Sequence, residues 1–108
     1  MIIAHELTEL AAKAAGIELD VGSQNARYPK RDGVYFEWIY WTPLEDDLAA
    51  FRLAVKLRLE INIDDCGTSV RAAGGRWHRC EVHSYGGVEN ATRHAIVLVA
   101  AELGEAKQ

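Results

Sequence analysis

Cysteine is scarce in this chain: only Cys66 and Cys80 among 108 residues. Two thiols are too few for a disulfide framework and contain no C-x2-C pair of the kind that binds structural zinc. Proline is equally rare, at positions 29 and 43. Nucleotide-binding and hydrolase signatures are missing too: there is no P-loop, no G-x-G-x-x-G and no G-x-S-x-G. No apolar run approaches the roughly 20 residues of a membrane span. The opening MIIAHELTEL carries acidic residues where a signal peptide would be basic. Excess positive charge is also lacking; the formal net charge of −4 gives no global attraction to nucleic acid or anionic lipid. These absences predict a cytoplasmic protein with reduced thiols, no cofactor and no membrane association.

What the chain does have is an ordinary globular composition, 49% hydrophobic and 26% charged, in a length that suits one domain spanning residues 1–108. The segment HELTELAAKAAG places Leu7, Leu10, Ala11 and Ala14 at helical spacing, and Gly16 is a natural stop. IELDV alternates like a short strand. GSQNARYPKRDG is polar and reads as an exposed loop or irregular hairpin. In VYFEWIYW, five of the last seven residues are aromatic. Strand alternation puts Val34, Phe36, Trp38 and Tyr40 on one face and Tyr35, Glu37, Ile39 and Trp41 on the other. One face belongs to a core. The other, with Tyr35, Ile39 and Trp41, is a candidate partner surface, since aromatics are enriched at interfaces.

A helix start follows. Thr42, Pro43 and Glu45 fit the N-cap, first and third helical positions of a capping box, and Asp46 and Asp47 suit the positive end of a helix dipole. The spacing predicts a helix from there to about Leu59. It carries two apolar stripes: Leu44, Leu48, Phe51, Val55 and Leu59 on one side, Ala50, Leu53 and Leu57 nearly opposite. One stripe suffices for a surface helix. A second implies contact with another helix or another chain, so Ala50, Leu53 and Leu57 are candidate contacts of a homodimer or of a host or phage protein. On that reading Leu53→Asp disrupts assembly and leaves a folded monomer. LEINI, SVRAA and WHRCEVHS then read as strands of an antiparallel meander with turns at DDCGT and GGRW. VENATRHAIVLVAAELG reads as a helix ending at Gly104, with Ala91, Ala95, Leu98, Val99 and Leu103 toward the sheet and Asn90, Arg93 and Val97 away from it. Strands run between helices in this order, which indicates an α+β fold.

Two of these stretches resemble a family of small proteins from tailed bacteriophages and prophages, the phage ABA sandwich domain. Its motif W-N-P-L-x-D-D-x-D-A-L-R-L-A-V-K-L is matched at Trp41, Pro43, Leu44, Asp46, Asp47, Ala50, Arg52, Leu53, Ala54, Val55, Lys56 and Leu57. A closing helix similar to A-x-R-A-I-V-x-A-A-A-E-I-G is matched at Ala91, Arg93, Ala95, Ile96, Val97, Ala100, Ala101, Glu102 and Gly104. Thr42, Leu48, Ala49 and Phe51 depart from the pattern. The resemblance implies a helix–sheet–helix layered sandwich around an antiparallel sheet of three to four strands, and a phage or prophage accessory protein. It implies no activity.

Chemistry-bearing residues give little support for an enzyme. Cys66, His78, Cys80 and His83 are zinc-ligand types, but on one strand His78 and Cys80 share a face while His83 takes the other. Cys66 sits beside Asp64 and Asp65, whose charge opposes a thiolate. Glu45, Asp46 and Asp47 diverge by about 100° per residue on a helix and do not converge on an ion. GGVEN could offer free N–H groups to an anion, but Glu89 competes for them. The expectation is a non-catalytic protein-interaction module without catalytic, cofactor or metal residues. The alternative is a nucleic-acid-binding module of helix–three strands–helix topology using Lys30, Arg31, Arg71, Arg76 and Arg79.

Overall fold

The computed structural model describes residues 4–20, 25–27 and 39–106. Helix α1 (Ala4–Ala15) stops as its sequence predicts. Gly16 takes φ 70°, its N–H donates to the Lys13 carbonyl, and the Ile17 N–H donates to Ala12 at 2.9 Å, the paired bonds of a Schellman stop. Strands β1 (Glu18–Asp20), β2 (Asn25–Arg27) and β3 (Ile39–Tyr40) form a small antiparallel sheet in that order. Strand β2 falls inside the segment expected to be an exposed loop or irregular hairpin, and pairs antiparallel with β1. Tyr35, Phe36 and Trp38 lie outside the described residues.

Helix α2 (Asp47–Leu57) begins later than the capping box predicts. The chain first makes a separate turn, in which the Glu45 and Asp46 N–H groups both donate to the Thr42 carbonyl at 2.9 and 2.8 Å. Asp46 then leaves helical geometry at φ −113°, ψ 116°, and its own carboxylate caps the Leu48 N–H. Two capping signals lie four residues apart, and the chain uses the second for the helix and the first for the turn. At the other end Arg58 adopts φ 53°, ψ 49° and closes α2 with bonds to Ala54 and Val55.

Strands β4 (Glu60–Ile63), β5 (Gly67–Arg71) and β6 (His78–Glu81) form the expected antiparallel meander. The sequence WHRCEVHS does not stay extended throughout; it turns into a short helix α3 (Val82–Tyr85). Helix α4 (Val88–Ala106) follows. The fold is α+β: helices packed against a three-stranded antiparallel sheet.

Helix α4 is the centre of the packing. It touches β5 and β6 on one side, and α1 and α2 on others. It is therefore buried around most of its circumference, and Val97, expected to face away, is fully buried with Ala91, Ala95, Ile96, Val99, Ala100 and Ala101. Gly104 does not end the helix. It lies within α4 against α1, where a methyl group would overlap the Leu10 carbonyl oxygen. The sheet contributes Val70, Cys80 and Thr68 to the core. Thr68 hydroxyl donates to Thr92 Oγ1 at 2.7 Å, since Thr92 spends its own proton on the Val88 carbonyl.

Candidate functional site

The two stripes of α2 resolve in the opposite sense to the expected one. Ala50 and Leu53 are 2% and 0% exposed and sit with Ala49 and Ala54 in the core, and Leu57 packs against its margin. Leu48, Phe51 and Val55 are 54%, 63% and 58% exposed. The face with alanine at three of its four buried positions wins the interior because α4 presents alanines there, and a close helix approach has room for Leu53 among them but not for a row of leucine, phenylalanine and valine. Ala50 and Leu53 are thus not available as partner contacts, and Leu57 is half-buried. Trp41, also expected at a partner surface, is completely enclosed in the same core. Ile39 lies on β3, and Tyr35 is outside the described residues.

The exposed stripe continues onto the sheet. Ile61 and Ile63, on the strand that follows, are 41% and 55% exposed. Register places Ile61 beside Val70 and Ile63 beside Thr68, so both isoleucines project on the helix-covered side of the sheet. Between them and Phe51 lies a groove of about 250 Å³. Its floor is Ala50, Val88, Thr92 and Ile96, and Asp47, Glu89 and Arg93 stand at one end.

Among the described residues, strand β4 is an edge of its sheet. The Asp64 N–H donates to the Gly67 carbonyl at 2.9 Å, which fixes the alternation of the ladder. Glu60 and Asn62 turn their backbone groups toward β5, and Ile61 and Ile63 turn theirs to the open edge. An apolar groove therefore runs beside a row of backbone donors and acceptors.

Arg93 holds one wall of the groove. Its Nε donates to the Leu44 carbonyl at 3.0 Å, one terminal nitrogen pairs with Asp47, and the other reaches Asn90 Oδ1 at 3.2 Å. This one side chain ties α4 to the turn before α2. In the sequence Arg93 reads as facing away from the sheet and as one residue of the closing-helix motif, with no partner indicated. Its partners lie 46 and 49 positions earlier, a separation no local pattern reports.

The opposite face of the sheet is ionic. Arg71 Nε is 2.8 Å from Glu60 and its guanidinium stacks on Trp77 at 4.6 Å. Arg79 forks onto both oxygens of Asp64 at 2.9 and 3.0 Å and also bonds Glu81 at 2.8 Å. The Arg79 bonds, helped by the Cys66 and Gly67 N–H groups, hold the Asp64 carboxyl well below the usual range, and Asp64 with Glu81 raises the guanidinium in turn. Two of the arginines expected to grip phosphate are therefore neutralised by carboxylates.

The four zinc-ligand types are dispersed. Cys66 is exposed in the β4–β5 turn, Cys80 is buried under α4, and His83 is exposed on α3. His78 Nε2 comes within 2.9 Å of Glu102 without hydrogen-bonding orientation. Among the described residues no three His, Cys, Asp or Glu side chains are placed to hold a metal. Burial pushes the Cys80 thiol up, partly offset by the Tyr85 hydroxyl. Contact with Cys80, then burial, raises Tyr85, whose ring also lies 4.6 Å from that of His94. Among the described residues no helix is long and apolar enough to cross a membrane.

Comparison with protein-family models, curated proteins and solved structures finds no match to this chain. The resemblance to the phage family rests on the two motifs themselves, and their residues divide structurally. Ala50, Leu53, Ala91, Ala95 and Gly104 are packing positions, Asp46 is a cap and Arg93 is the interhelix clamp.

Proposed function

We propose that this chain is a non-catalytic protein-interaction module, of the phage or prophage accessory kind its motifs resemble, acting in the bacterial cytoplasm. The observation that carries this reading is the strip Leu48, Phe51, Val55, Ile61 and Ile63, five large exposed apolar side chains beside a strand edge that no described residue pairs with. Single exposed apolar residues are ordinary, but a contiguous apolar surface with a groove marks a contact site. The core closes without these side chains, so folding does not account for them.

The test is capture of partners by tagged protein from bacterial lysate containing untagged copies of the chain. Wild type retains a partner, whether a host protein or a second copy. Phe51→Asp loses it, and Arg76→Ser, on an exposed turn, keeps it. An identical captured set for wild type and Phe51→Asp would sink the reading.

A further inference from the structure

We infer that the open edge of β4 is the contact of a two-fold homodimer in which the β4 strands of two copies pair antiparallel. This names the partner for the interaction surface proposed above and rests on that reading.

The backbone supplies the first argument. Ile61 and Ile63 direct their N–H and C=O groups away from β5, in a strand whose four residues are all exposed. Monomeric proteins blunt such an edge with lysine, proline, a bulge or an inward charge. Strand β4 has none of these on its helix-covered side. In the register where Ile61 of each copy faces Ile63 of the other, each pair exchanges both of its N–H···O bonds. The four isoleucines then line up on the grooved side of a continuous sheet. Asn62 meets its own copy on the other side, in the closely spaced class of pair.

Charge supplies the second argument. Helix α2 turns back alongside β4 with the groove between them, so the groove has two unlike ends. At the end near Ile63, Arg93 engages Asp47, and Glu89 with the exposed Asp65 in the turn that follows β4 leaves the end net acidic. Arg52, Lys56 and Arg58 are exposed along the later turns of α2 and its cap, toward the start of β4. A two-fold axis across β4 reverses the strand direction and brings the acidic end of each copy to the basic end of the other. Parallel pairing would set like against like. The surface is complementary to itself only in the antiparallel sense that a closed dimer requires.

Sedimentation velocity over a concentration series, joined to directed cross-linking, tests the arrangement. Wild type forms a concentration-dependent dimer. Ile61→Lys weakens it more than about tenfold while the far-ultraviolet circular dichroism stays unchanged, because a charge opposes pairing at an edge. The doubly substituted variants Arg52→Glu/Lys56→Glu and Asp65→Lys/Glu89→Lys are each largely monomeric, and mixing them restores the dimer, since only the mixed pair is complementary at both ends. In a Cys66→Ser background, Asn62→Cys forms an interchain disulfide on mild oxidation, because closely spaced antiparallel partners bring Cα atoms to about 4.5 Å. A monomer at every concentration overturns the inference, as does a dimer insensitive to Ile61→Lys or the absence of the Asn62→Cys cross-link. A wild-type monomer that still captures a host protein through Phe51 overturns the dimer and leaves the interaction module standing. Loss of Phe51-dependent capture removes both.

Discussion

Gly104 and the carbonyl of Leu10 are in backbone contact across the α1–α4 interface, so close that no β-carbon fits between them. In an open helix, replacing glycine by alanine gains about 0.5–1 kcal/mol of stability. Here the added methyl has backbone, not a movable side chain, in its way. Gly104→Ala is expected to lose about 1–3 kcal/mol, the usual range for overpacking, as read by urea unfolding.

The exchanged stripes of α2 predict opposite results for two neighbouring substitutions. Leu53→Ala leaves a cavity in the core and costs about 2–5 kcal/mol. Leu53→Asp, expected from sequence to spare the monomer, instead prevents folding, because it buries an unpaired charge. Phe51→Asp changes stability by less than about 0.5 kcal/mol, as surface substitutions do. Thermal unfolding of the three variants separates these outcomes.

Arg58 holds the left-handed position that closes α2, a conformation costing a non-glycine residue about 1 kcal/mol. Its bonds to Ala54 and Val55 are made by the backbone and survive any side chain. Arg58→Gly is therefore expected to raise stability by about 0.5–1 kcal/mol in chemical denaturation.

Asp64 sets an acid limit. Its folded carboxyl releases its proton more readily than the unfolded chain, where the ordinary value is 3.8. The unfolded state then binds more protons below about pH 4, so this contribution is present above that range and fades as pH falls through it. Asp64→Asn flattens the acid limb of a stability–pH curve. The pair is exposed, so added salt reduces the difference between the two proteins.

The two thiols should differ in reactivity. Cys66 is exposed and Cys80 is buried with its ionisation pushed up. One equivalent of an aromatic disulfide reagent reacts with the native protein at neutral pH and two react in denaturant. Cys66→Ser leaves no fast thiol; a fast thiol persisting in that variant would mean that Cys80 is accessible.

The amino-acid order by itself determined the elements whose causes are local. Gly16 terminates α1, the Asp- and Gly-rich turns define the β4–β6 meander, and helical spacing marks α4, because backbone preference and side-chain period act within a few residues. The boundaries failed where two local signals compete, as at Thr42 and Asp46, or where one strand pattern runs through into α3. The tertiary structure alone decided which stripe of α2 is interior, and hence where the candidate site lies. Both stripes are apolar, and hydrophobicity ranks the leucine–phenylalanine–valine stripe first. The selection is made by volume. Helix α4 meets its neighbours through alanine and glycine, and only a face equally small at most of its positions fits against it. That constraint, like the reach of Arg93 to Asp47, exists only after distant parts of the chain have come together.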